Sequence, residues 1–220
     1  MADLDRNTTT LSYHDTIKEM YKSVGVTQET IKKLFVMDAN APYNTDALRP
    51  MLGVSMLTEY HRQQALPGKR LNEILTDSMI PYMTSALDVN EFHNHSSILS
   101  SSEEVIEISL LDLCNRLFVG STVEAFLGRS VWKTNPNLIE SLRLWERTNW
   151  KFMYQVPAVF SRDMITARDD IIQTFVKYLQ APSTDRQDSG HFARVAENML
   201  RQLECSELDI AKIFLLHFWA

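Results

Sequence analysis

The run LDIAKIFLLHFWA, residues 208–220, decides how the chain is read. Ten of its thirteen residues are apolar, and at helical spacing they surround the axis instead of striping one side. A helix that is hydrophobic all round belongs inside a larger body, with neighbours on every face. The run is too short to span a membrane, which takes roughly 18 apolar residues. Ser206 and Asp209 stand three apart at its start, the spacing of a capping box. The sequence stops inside this helix at Ala220, so residues 1–220 are expected to be a single incomplete domain.

Outward from that run, nearly every patterned segment reads as helix, and the expected class is all-α. Glycine is scarce, at 6 of 220 residues, and no stretch alternates with period 2. Thr16–Val24 forms a short helix stopped by Gly25, and Thr27 starts another through Phe35. Asp38–Pro50 reads as a loop. Pro67-Gly68 makes a turn, after which Leu71, Ile74, Leu75, Met79, Tyr82 and Met83 share one face, with Pro81 expected to bend the helix. Residues 88–102 read as loop. Ser101 and Glu104 form a capping box that opens a long helix through Phe118, continuing to Leu127 with Gly128 beyond. Asn135-Pro136 starts a helix carrying Leu138, Ile139, Leu142, Trp145 and Phe152, ended by Val156-Pro157. Ser161 caps the next, closed by Pro182. Residues 183–190 form a polar linker, and Phe192, Val195, Ala196, Met199, Leu200 and Leu203 make a clean helical stripe.

A net charge of −6, with no Lys/Arg-rich run, argues against a nucleic-acid surface. Cys114 and Cys205 sit in helix-like apolar stretches without CxxC partners and read as buried, reduced thiols. MADLDRNTTT is polar and acidic, unlike a signal peptide or membrane anchor. The glycosylation patterns at Asn7 and Asn94 are taken as chance. His93 and His95 with Glu91 could hold a metal, but no further ligand is placed by sequence, and a solvated loop is the better reading. His61-Arg62 followed by Lys69-Arg70 is a small basic cluster able to hold a carboxylate or phosphate, against the plainer reading of a solvated face. Glu103, Glu104 and Glu107 read as first-turn capping charges, and His217 as a core residue. No nucleophile elbow, P-loop or dinucleotide fingerprint occurs, and no residue is assigned a catalytic or metal-binding role.

Several blocks, taken in order, resemble the cytochrome P450 family, in the fungal branch related to prostacyclin synthase and the sterol 7-alpha-hydroxylases. RNTTTLSY, residues 6–13, resembles the segment between the family's B and C helices. HRQQALPGKRLNEILTDSM, 61–79, resembles the C-helix region, with Leu66, Gly68, Leu71, Leu75, Thr76 and Met79 holding the branch's pattern. TVEAFLG (122–128), NPNLIESLRLWE (135–146) and FSRDMITARDDIIQTFVKYL (160–179) resemble the end of the E helix, the start of the F helix and the G helix. SELDIAKIFLLHFWA, 206–220, resembles the first half of the I helix.

The resemblance implies the middle portion of a haem-thiolate monooxygenase acting on a lipophilic substrate such as a sterol or secondary metabolite. A P450 reductase would be the redox partner. The haem-ligating cysteine loop and the oxygen-handling half of the I helix have no counterpart in these residues. Haem is therefore expected in the intact family and not stably on this chain alone, which is expected to be inactive. His61 and Arg62 are the candidates to approach a haem propionate. The Arg6–Tyr13 stretch and the region of Phe152–Pro157 would line a substrate pocket, as would the inward face of Ile213–Trp219. Phe152, Leu215, Leu216 and Trp219 are named for it, with core packing the competing reading. The rival from another class is a non-catalytic helical protein that covers its apolar C-terminal helix with a partner polypeptide. The family is tethered to the endoplasmic reticulum; this sequence carries no tether, which leaves its location open.

Overall fold

A computed structural model describes residues 13–44, 50–88, 98–102 and 105–219. The described chain is mainly helical, and its strands amount to one short antiparallel pair. It divides into two compact units, one of residues 1–59 and 196–220, the other of residues 60–195.

The first unit is built from α1 (Tyr13–Ser23), α2 (Gln28–Phe35), the start of α3 (Gly53–Ala65), the end of α11 (His191–Gln202) and α12 (Glu207–Trp219). Gly25 takes φ +84° after α1, a conformation that favours glycine, and Thr27 then caps α2 by accepting from the Thr30 backbone N–H. The core gathers on α12. Ile210, Ala211, Ile213, Phe214, Leu215 and Leu216 are all buried, so most of the apolar run is enclosed, while Leu208 at its start is exposed. Leu34, Ile31 and Tyr21 face it from the first two helices' buried positions.

The second unit holds the end of α3, then α4 (Lys69–Ile74), a π-helical turn (Leu75–Met79) and α5 (Ile80–Ala86). The turn at Pro67-Gly68 is as read. Pro81 follows the π-helical turn within a run whose junction residues Ile74, Leu75, Met79 and Ile80 all keep right-handed helical dihedrals, and the widened turn accommodates its missing N–H.

The stretch around Ser101 corrects the sequence reading. Ile98–Ser101 (β1) pairs antiparallel with Ile106–Ile108 (β2), in the register Ser101 with Ile106 and Ile98 with Ile108. β-Branched residues crowd this stretch and favour a pleated backbone. The helix opens eight residues later, where Ser109 accepts from the Asp112 N–H, so the start signal is real but belongs to the second serine. Glu107 is therefore a strand residue that accepts from Ser100 Oγ at 2.7 Å, not a first-turn charge. Glu103 and Glu104 lie outside the described residues, as do the Glu91–His95 group, Asn7, Asn94 and residues 6–12.

α6 (Leu110–Leu127) ends at Gly128, φ +74°, as expected. It packs along the π-turn and α5, and also against α8. Gly120 is where α6 meets the Tyr82 ring; a Cβ there would fall 2.7 Å from Tyr82 Cε1, and closer to the outer ring atoms. α7 (Ser130–Thr134) leads to α8 (Leu138–Thr148), which begins three residues after Asn135; the Asn135 side chain instead accepts from the Asn137 N–H at 2.9 Å. Phe152 lies on a separate short turn of helix, α9 (Trp150–Met153). α10 (Arg162–Gln180) follows, and α8 and α10 form the most extensively packed helix pair of the unit. Residues 183–190 are more than a polar linker. Arg186 is buried, its guanidinium 4.8 Å from the centre of the Tyr178 ring, and Ser189 is buried against the Tyr178 hydroxyl at 2.6 Å.

Candidate functional site

The basic cluster read at residues 61–70 is divided by the fold. His61 turns inward at the end of α3 and stacks on Phe192, ring centres 3.7 Å apart, with Phe126 at 5.7 Å. Burial lowers its pKa to about 4. Near neutral pH it is an uncharged aromatic plug and brings no cation to a propionate. Arg62 stays exposed. Lys69 is exposed and faces Glu73 at 3.6 Å.

Arg70 keeps a more suggestive position. Its guanidinium donates to Gln63 Oε1 at 3.2 Å, and the same oxygen lies 3.4 Å from His191 Nε2. These groups border a cleft of about 370 Å³ lined by Arg70, Glu73, Asp77, Asp188, His191 and Arg194. Burial, then the nearby charges of Arg70 and Arg194, lower the His191 pKa. His191 and Arg194 lie more than a hundred residues from Arg70 in sequence, so no local pattern joins them. What joins them is Gln64, buried on α3, whose Oε1 accepts from the Phe192 N–H at 2.7 Å and holds the start of α11 against α3. The cleft mixes cations with carboxylates and can hold a polar group.

Three of the four proposed pocket residues are buried. Phe152 packs on Trp145, ring centres 5.6 Å apart, and is buried, whereas its neighbours Met153 and Tyr154 are exposed. Leu215 and Leu216 are buried on α12. The side chain of Trp219 lies outside the described residues. His217 takes part in a tie as expected of a core histidine, its Nε2 2.8 Å from the Tyr21 hydroxyl.

Cys205 is buried, and burial pushes its thiol up, toward the protonated form. Cys114 sits half-buried on α6. Among the described residues no three His, Cys, Asp or Glu side chains converge as metal ligands, and no helix is long and apolar enough to cross a membrane.

The state of His61 makes stability depend on pH. Its folded pKa lies below that of a free histidine, so the unfolded chain binds more protons between about pH 6.5 and pH 4, and stability falls as pH drops through that window. The expected loss is about 2 kcal/mol after allowing for partial solvent screening. Urea unfolding at steps from pH 7.5 to pH 4 should show this slope, and His61→Phe, which keeps the stack, should flatten it.

No family model, curated protein or solved structure matches the chain.

Proposed function

We propose that the chain is a cytochrome P450-like polypeptide, part of a haem-thiolate monooxygenase that hydroxylates a lipophilic substrate. The observation that carries this reading is the pairing of α8 with α10. Most of each segment that resembles the family's F and G helices folds as helix, Leu138–Thr148 and Arg162–Gln180, and the two pack on each other more extensively than any other pair in their unit. The segment that resembles the first half of the I helix is correspondingly a helix enclosed in apolar contacts.

The thiolate that drives O–O cleavage in this chemistry is expected from a Gly-rich cysteine loop and not from Cys114 or Cys205, since each lies in a block that precedes the segment resembling the I helix. This chain's residues contribute helices and apolar surface, and no catalytic step is assigned to them. The test is to sequence the transcript through the codon for Ala220 and express the longest continuous frame. A Gly-rich cysteine loop, and the thiolate-haem absorption band in the reduced carbon monoxide complex, would support the reading. A frame with neither would overturn it.

A second reading, a non-catalytic helical protein bound to a partner polypeptide, draws on one observation. Leu110, Leu111 and Phe118 are more than half exposed on α6, as are Leu99 and Val105 of the hairpin stretch that precedes it. A purified chain that sediments as a soluble monomer, with no partner recovered alongside it, would count against this second reading.

A further inference from the structure

Residues 71–115 carry no lysine or arginine, yet they hold eight of the chain's 28 Asp and Glu residues. Outside this stretch the basic residues slightly outnumber the acidic ones, so the acidic excess of the chain is concentrated here. The same part of the chain turns large apolar side chains to solvent. Leu99, Val105, Leu110 and Leu111 are 65–73% exposed, and Phe118, about two turns along α6 from Leu111, is 59% exposed. Leu99 is the extra residue of a bulge: Ile98 stands opposite Ile108 and Ser100 opposite Glu107, so Leu99 has no residue opposite it on β2. α6 packs on the π-helical turn, α5, α7 and α8, and its three apolar side chains stay exposed all the same.

Large apolar side chains left open in this way mark a surface that another molecule covers, and the charge selects which molecule. The exposed carboxylate of Glu107 accepts from Ser100 Oγ and meets no cation among the described residues, while Asp112 is bound by Arg143. A second copy of the chain would bring the same negative charge to this face, and an anionic membrane would be repelled likewise. We propose that the β1–β2 hairpin and the exposed side of α6 dock a basic segment of a partner polypeptide. Its large apolar side chains cover Leu99, Val105, Leu110, Leu111 and Phe118, and a lysine or arginine meets Glu107. The acidic excess of the stretch draws such a segment in from a distance, and the apolar contacts then hold it. The inference requires neither function proposed above: it would stand for a haem protein and for a non-catalytic one alike.

The test uses the full chain and a fluorescent synthetic peptide in which lysines and leucines recur at helical spacing. One control peptide replaces its leucines with serine and keeps the charge; a second replaces its lysines with glutamate and keeps the apolar face. The Lys/Leu peptide should bind, more weakly as salt is raised, and each control should bind about tenfold more weakly or worse. Leu111→Ser and Glu107→Lys should each weaken the Lys/Leu peptide about fivefold. Both positions are exposed, so both variants are expected to fold, and Val159→Ser, at an exposed apolar position outside the stretch, should leave the affinity unchanged. On the wild type, bound peptide should slow hydrogen exchange in residues 98–102 and 105–111. Affinity untouched by both Leu111→Ser and Glu107→Lys, equal binding of the Glu/Leu peptide, or protection confined to other residues would overturn the proposal. So would self-association of the chain, or its capture by phosphatidylserine vesicles, that Leu111→Ser abolishes.

Discussion

Replacing Asp209 by alanine should cost the chain about 3–5 kcal/mol, among the largest losses available from a single polar side chain. Asp209 is 1% exposed, yet it is charge-bearing and lies on the most apolar helix of the chain. It is kept there by donors from a segment some 180 residues away. The Thr27 N–H reaches Oδ1 at 3.1 Å, the Thr27 hydroxyl reaches Oδ2 at 2.5 Å, and the Thr30 hydroxyl reaches Oδ2 at 2.7 Å. Bonds to a charged acceptor are worth more than neutral ones, and alanine would take this acceptor from all three donors, two on the cap residue Thr27 and one on the first turn of α2. Asp209→Asn keeps one good acceptor oxygen and should lose less than alanine. Urea unfolding gives the loss, and hydrogen exchange should show it as weakened protection of the α2 amides. Equal stability of wild type and Asp209→Ala would mean that the network contributes nothing, and that α2 is held by Ile31 and Leu34 alone.

That network also marks where sequence reading stops. Ser206 and Asp209 were legible as a capping box, and half of it is real: the Asp209 N–H donates to Ser206 Oγ at 3.1 Å. The reciprocal half is not made, because the carboxylate turns across to Thr27 and Thr30. Spacing of three residues is local information; the competition from α2 is not. The same limit applied at Ser101, where a cap signal preceded an isoleucine-rich strand pair, and at His61, whose basic neighbours concealed an aromatic stack with Phe192. Helix periodicity held up better, since the stripe at 192–203 depends only on the buried face of its own helix. The cleft at Arg70, His191 and Arg194 was half legible, through Arg70.

Two tryptophans five residues apart should respond to truncation in opposite ways. Trp145 is 1% exposed on the inner face of α8, in line with Leu138 and Leu142, and its ring meets Phe152 at 5.6 Å in a tilted arrangement. Trp145→Ala removes the largest buried side chain of the chain, and the surrounding helices can close only part of the cavity. The expected loss is about 3–5 kcal/mol. Trp150 is half exposed at the start of α9, with Lys151 Nζ 5.8 Å from its ring centre. Trp150→Ala gives up only exposed contacts and should stay within about 0.5 kcal/mol of wild type. Chemical denaturation followed by far-ultraviolet circular dichroism reads both, and an unchanged denaturant slope would show that the two variants unfold as the wild type does. The contrast bears on function because Trp145 sits on the helix that packs with α10, the pair that carries the P450-like reading. If both variants lost the same stability, α8 would not be seated on its Trp145 face, and the pairing that supports that reading would be withdrawn.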